Sequence, residues 1–285
     1  MPKLNSLTFF KQLLISTLLT TLLMNVSNAQ TDTVYSNNQK IACFVKEITP
    51  DAVKYSFPGE DLLNTVYKNT VQKIVFKSGR VQTFAESTSY KSITGVMDYD
   101  KVTITSVEGE VRGLYKLGEV SSKAKGTTTL SSQERVKERA FRKFKIQAAM
   151  LGANVIYLSN ERTEGNKFGS YFSSGSSAET NLTGIAYSNI LPDFDAFKKL
   201  IGSKTNFTAV ERYKLGASDA DVSQTEINKA FKISNTTNDN GIIYINGELE
   251  GEDSIISFQL VNVNSNSFSI AYKYGGTAYN YIITL

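Results

Sequence analysis

Four tyrosines near the C terminus, Tyr272, Tyr274, Tyr279 and Tyr281, and three arginines on one amphipathic stretch, Arg135, Arg139 and Arg142, are the side chains whose type and spacing suit ligand recognition. The chain has no tryptophan, so tyrosines are its main amphipathic aromatics and could stack on a sugar or a peptide. The competing reading is cross-strand aromatic pairing that holds a sheet together. The arginines, with Lys137, Lys143 and Lys145, stand against only Glu134 and Glu138, and a basic face of that kind could hold phosphates or anionic lipid. A solvated face explains it as well: no aromatic interleaves the charges, and each glutamate can support a cation one turn on.

Other chemistries are weaker. The chain has no histidine, which excludes Ser-His-Asp and Cys-His arrangements. Cys43 is the only cysteine, so a transition metal would find no nitrogen ligand and at most one sulfur, and neither a metal site nor a cofactor is expected. Cys43 lies in the apolar run Ile41–Val45, where a thiol acts as a small hydrophobe, and no lipid-anchor motif precedes it. Ser122 and Lys125 match the serine–lysine spacing of certain acylating enzymes, but beside a strand and not opening a helix. Asn238-Asp-Asn-Gly241 fails as a calcium loop because Thr236 and Gly247 occupy the positions that need acids; a hairpin turn explains it. Asp219, Asp221, Glu248, Glu250 and Asp253 could bind calcium loosely along an edge, though turns and strand ends expose acids routinely. No phosphate loop, dinucleotide fingerprint or G-x-S-x-G is present. No catalytic residue is assigned, and the chain reads as a non-enzyme.

One long helix must organise these groups. The stretch Ser131–Val155 opens with Ser131 and Glu134 at capping-box spacing. Val136, Ala140, Phe144, Ala148 and Leu151 form an apolar stripe that Phe141 and Ile146 widen, and Gly152 ends the helix. Around it the chain alternates short strand-like runs with turns. About five fall between residues 30 and 86, which predicts a small β-barrel or roll. More fall between 95 and 190 and flank the helix. From 193 to 285 strands separated by Asn238–Gly241, Asn264–Asn266 and Gly275–Gly276 predict an antiparallel β domain. Within it Phe194–Ile201 reads as a short helix, and Ser223 with Glu226 could cap another. The expected class is therefore β-rich α+β in three units.

The start of the chain reads as an export signal. Lys3 and Lys11 precede the apolar run Leu13–Met24, and Ser27 and Ala29 suit a cleavage site after Ala29. Removal of residues 1–29 takes two lysines and no acid, lowering the net charge from +4 to +2, so bulk charge implies no nucleic acid. No later run is long enough for a membrane span.

Two resemblances accompany these readings. The pattern I-x-C-x-V-x-E-I-T over residues 41–49, with Val53 and Tyr55 following, resembles the Sm/SH3-like β modules of exported Bacteroidetes proteins. Gly118-Glu-Val120, the Arg/Lys-rich helix, Gly152-Ala-Asn-Val155 and Leu182–Tyr187 together resemble small bacterial α+β envelope domains. These include the YbjQ-like family, labelled heavy-metal-binding, and the periplasmic part of the Rcs stress-sensor lipoprotein. The resemblance implies a helix on a small sheet and an envelope module; it does not imply catalysis. The expectation is a periplasmic or secreted binding or scaffolding protein whose partner is a protein or glycan of the envelope. The other class kept open is a carboxylate-based hydrolase of glycans or cell-wall material, which needs two carboxyl groups about 5–10 Å apart. A third possibility is assembly through strand edges, and the oligomeric state is left open.

Overall fold

The computed structural model describes residues 30–36, 39–84, 90–170 and 174–285. The expected signal segment and its cleavage site lie outside the described residues. No described helix is long and apolar enough to cross a membrane.

Residues 32–83 form a six-stranded antiparallel sheet: β1 (Asp32–Ser36), β2 (Gln39–Ile48), β3 (Ala52–Ser56), β4 (Asn64–Tyr67), β5 (Val71–Val75) and β6 (Val81–Thr83), in the order β4-β3-β2-β1-β5-β6. Val34, Cys43, Val53, Tyr55, Val71 and Ile74 meet in one core, with Val66 and Phe84 packed on it. The core thus draws on side chains from β1 through β5, so the sheet curls round its own apolar face. The short, polar β1 is the strand that the sequence does not announce. Its Asp32 carboxylate accepts from the Val45 N–H at 2.8 Å and the Lys77 N–H at 2.7 Å, tying β1 to β2 and to the β5–β6 turn. Cys43 is fully buried, and burial followed by the nearby Asp32 charge pushes its thiol up to about 11.

The central unit is a four-stranded sheet in the order β7-β9-β10-β8, built from β7 (Thr103–Thr105), β8 (Tyr115–Lys125), β9 (Val155–Glu164) and β10 (Glu179–Ser188). β7 runs parallel to β9, and the other pairs are antiparallel. A one-turn helix, α1 (Glu108–Val111), precedes β8, and the long helix α2 (Gln133–Met150) lies on the sheet. The cap of α2 is Ser132, whose Oγ accepts from the Arg135 N–H at 3.4 Å. Ser131, the expected cap, instead accepts from the Thr128 N–H, so the expected capping box is one residue out of register. Val136, Ala140, Phe144 and Ala148 face the sheet as expected. Gly184 allows a close approach of helix and sheet, since a Cβ there would collide with the Tyr157 carbonyl and meet the Phe144 ring at 2.9 Å.

The C-terminal region opens with α3 (Phe194–Ile201), capped by Asp193. It is followed by β11 (Asn206–Leu215), β12 (Ser223–Asp239), β13 (Ile242–Leu249), β14 (Ser257–Val263), β15 (Ser267–Tyr274) and β16 (Thr277–Thr284). Each strand pairs with the next and β16 returns to β11, which closes an antiparallel barrel. The second capping box expected at Ser223 and Glu226 is not used: these residues begin β12, where pairing with β11 and β13 overrides the local helix signal. Asn240 and Gly241, at φ 52° and 90°, make the two-residue turn from β12 to β13. Phe207, Phe231, Phe258 and Phe268 fill the barrel, and Phe197 of α3 joins them with its ring 5.3 Å from that of Phe268.

The central unit and the barrel share their packing. Ile146 and Met150, on the flank of α2 away from Phe144, bury against Tyr213, Leu215 and Ala278 on the barrel wall. A register shift between Ala209 and Glu211 makes this possible: Phe207 and Ala209 point into the barrel, whereas Tyr213 and Leu215 point out at α2. The Asn280 side-chain amide donates to the Met150 carbonyl at 2.8 Å, and so takes up one of the free carbonyls at the helix end. Gly152, at φ 76°, ends the helix as expected, and a Cβ there would meet Val261 of β14 at 2.9 Å.

Candidate functional site

β8 is an edge strand, with β10 on one side only. A free edge presents backbone donors and acceptors that must find partners. Along β8 they find them on α2. Arg139 donates to the Lys125 carbonyl at 2.8 Å, Lys143 to the Lys123 carbonyl at 3.1 Å, and Gln147 accepts from the Ser121 N–H at 3.3 Å. The ladder works because the two periodicities nearly coincide. Four residues of helix rise about 6 Å, while two residues of strand advance about 6.8 Å. Every fourth residue of α2 therefore meets every second residue of an antiparallel β8. Past the helix end the barrel continues the series, as Lys273 donates to the Glu119 carbonyl.

Lys143 does more than seal the edge. Its residue is only 3% exposed, and its ammonium also donates at 2.9 Å to the carbonyl of Ala217, in the loop between β11 and β12. Burial pulls this ammonium below the usual lysine range, while the nearby Asp219 charge favours the protonated form. The Lys273 ammonium is also lowered by burial. Lys143 thus acts as a strut across a groove between β8 and the barrel, dividing it into two hollows that share Lys123, Lys143 and Ala217 as a wall. One, of about 310 Å³, takes in Gln147, Asn181, Thr183 and Lys273; the other, of about 460 Å³, takes in Lys125, Arg139 and Asp219. Five cationic side chains line the groove, and Asp219 is the one carboxylate in its described lining. A concave surface of one sign focuses potential and attracts anions.

The three arginines separate. Arg139 lies on the groove, while Arg142 pairs with Asp221 at 2.7 Å and sits over the Tyr99 ring. Arg135, near the start of α2, is not in the groove lining; it lines a neighbouring hollow with Glu138, and Arg139 borders both. The ion pairs of the helix cations run to other elements, as with Lys137 and Glu161 at 2.8 Å, and not along the helix to the glutamate partners considered from the sequence.

Three of the four tyrosines are built into the barrel. Tyr272 and Tyr279 are cross-strand partners with rings stacked 4.8 Å apart, and Tyr281 continues the stack at 6.1 Å from Tyr272. The Tyr281 hydroxyl donates to Glu252 at 2.8 Å, and burial first, then this carboxylate, push it up to about 12. Burial, Glu252 and Tyr281 raise Tyr272 further, yet its buried hydroxyl has no hydrogen-bond partner of good geometry. Tyr274, beside the Gly275–Gly276 turn, is 58% exposed and the most open of the four.

The remaining candidates disperse. Ser122 is buried and donates to the Ala140 carbonyl, while Lys125 is exposed on the other face of β8. Asp219 accepts from the Gly216 N–H, Asp221 holds Arg142, and Glu250 accepts from the Ala230 N–H. No cluster of metal-ligating side chains occurs among the described residues.

The sequence marks Arg139 and places Lys143 in the basic face, but misses the burial of Lys143 and misses Gln147, Lys123 and Lys273 altogether. The signal available was the four-residue step Arg139, Lys143, Gln147 beside the apolar stripe. Only the position of β8 gives that step a meaning. Comparison with family models, with curated proteins and with solved structures found no match for this chain.

Proposed function

We propose that this chain is an exported, non-enzymatic binding or scaffolding module of the cell envelope, and that the groove beside β8 holds its partner. The observation that carries the reading is the convergence of Lys123, Lys125, Arg139, Lys143 and Lys273 on one concave surface between two units. Export rests on the N-terminal pattern of Lys3, Lys11, the apolar run and Ala29. The hydrolase reading would need a pair of carboxyl groups facing one another, and Asp219, whose Oδ2 is held by the Gly216 N–H at 2.6 Å, stands without a second carboxylate in the described lining.

The test is capture from envelope extracts with the native protein, with Lys123→Glu/Lys125→Glu, and with Arg135→Glu as a control outside the groove. The expected result is a partner retained by the native protein and by the control and lost by the groove variant. Equal recovery by all three would remove the groove from the reading. Amino-terminal sequencing of the protein from its native cell tests export separately and should begin at Gln30; a retained Met1 would refute it.

A further inference from the structure

We propose that the hollow flanked by Lys123, Lys143 and Lys273 binds an anionic sugar, a monosaccharide unit carrying a carboxylate or a phosphoryl group. The inference rests on the groove being the ligand-bearing surface and adds the chemical class of the ligand.

The lining sets that class. Three lysines border this hollow: the Lys123 ammonium is held by Glu179 at 2.7 Å, whereas the Lys143 and Lys273 ammonium groups rest on backbone carbonyls and keep their charge to offer an anion, and no carboxylate is in the hollow's described lining. The Lys143 ammonium is already aligned by the Lys123 and Ala217 carbonyls, and Lys273 by the Glu119 carbonyl, so neither must be ordered when a ligand arrives. Charge-assisted bonds from such groups are about twice as strong as neutral ones. The rest of the wall carries hydroxyls and amides, Ser121, Gln147, Asn181 and Thr183, beside the apolar Leu182 and Ala278, and the Asn181 amide already donates to Glu179 at 2.8 Å. Gln147 spends its oxygen on the Ser121 N–H, which leaves its amide N–H groups facing a role as donors. No aromatic side chain is in the hollow's described lining, which gives no platform for a nucleobase there. A ligand ringed with hydroxyls and bearing one anionic group matches each of these features. About 310 Å³ falls at the small end of ligand pockets and suits a single sugar unit more than a chain.

The experiment is calorimetric titration of the intact protein with glucuronate, glucose 6-phosphate, glucose and inorganic phosphate. At least one anionic sugar should bind about tenfold or more tightly than both glucose and inorganic phosphate. Binding of glucuronate alone assigns a carboxylate source, and of glucose 6-phosphate alone a phosphoryl source; either supports the proposal. Lys273→Gln should weaken that binding about tenfold while Arg135→Gln leaves it unchanged. Lys143 is a poor first choice, since a buried strut lost could unfold the chain. Lys273 is an exposed residue near the end of β15, and an unaltered melting temperature would confirm that its variant folds. Absence of binding at millimolar concentration, equal binding of glucose or of inorganic phosphate, or indifference to Lys273→Gln would each overturn the proposal. If it fails while the groove-dependent partner is still captured, the ligand class falls and the binding role stands.

Discussion

In the barrel β11 has β12 on one side and β16 on the other, so hydrogen bonding runs right round and leaves no edge. In the central sheet β8 has β10 alone, and its other side is satisfied by Arg139, Lys143, Gln147 and Lys273. Closure uses backbone alone and leaves side chains free to pack. Sealing an edge with side chains concentrates cations beside a strand, and those cations then line a groove. The difference teaches that the basic character of α2 follows from the neighbour it protects, and that the same groups are placed for a ligand.

The comparison is broken most severely by removing the shared apolar packing. Phe144→Ala on the central helix and Phe268→Ala inside the barrel should each cost about 3–5 kcal/mol in urea unfolding, because both rings are fully buried. Since Ile146 and Met150 pack on Tyr213 and Leu215, each variant should lower one common transition of helix and barrel. Two separated transitions would show that the units are joined only at the groove.

Next in size is the strut. Lys143→Met removes the donor to two backbone carbonyls, Lys123 and Ala217, and should cost about 2–3 kcal/mol. It should also bare part of the β8 edge, so light scattering should show concentration-dependent self-association. Lys232→Met on barrel strand β12, whose exposed pair with Glu248 spans 3.9 Å, should change neither property, because the barrel has no edge to bare.

One group from each region, Tyr281 of the barrel and Lys143 of α2, responds oppositely to alkali. Tyr281 has a folded pKa of about 12 against an ordinary 10, so its contribution is fully present below pH 10 and is lost as pH rises through 12. Lys143 has a lowered folded pKa, so the folded chain releases its proton first and stability from that group rises with pH up to the unfolded value of 10.5. Raised Tyr213, at about 12, adds to the tyrosine side. The protein should therefore lose stability above pH 10, and Tyr281→Phe should flatten that loss. An unchanged slope, followed by chemical denaturation from pH 9 to 12, would mean that the Tyr281 hydroxyl does not stay protonated inside the barrel.

How far the sequence carries differs between these regions for physical reasons. The strands of the barrel are legible because alternation and turn residues are local: Asn240–Gly241 and Gly275–Gly276 mark hairpins that the structure contains. Closure is not legible, since the Arg212–Tyr281 pairing joins residues at opposite ends of the domain. β12 misleads locally, because Ser223 and Glu226 have cap spacing while Ile227, Lys229, Phe231 and Ile233 alternate as a strand. In α2 the stripe towards the sheet is legible. The second flank is not, because Ile146 and Met150 gain their partner only when a distant bulge turns Tyr213 and Leu215 outward. Lys143 belongs to the same class of miss: an ammonium inside the fold is read from sequence as solvent-facing until two carbonyls are placed beside it.

The smallest effect concerns Arg142. It is the helix cation that reaches the barrel by charge, pairing with Asp221 at 2.7 Å, with the two side chains 48% and 45% exposed. An exposed pair of this kind contributes between about 0.2 and 1 kcal/mol and is screened by salt. The apolar contact of Ile146 and Met150 with the barrel lies one turn further along α2 and has no such dependence. A double-mutant cycle of Arg142→Ala and Asp221→Ala should therefore give a coupling below about 1 kcal/mol at low salt, falling towards zero at high salt. The cation over the Tyr99 ring should survive in the Asp221 single variant and keep Arg142→Ala measurably destabilising there. A coupling well above that value, insensitive to salt, would reverse the order of importance and make the helix–barrel junction an electrostatic clasp with apolar packing as its consequence.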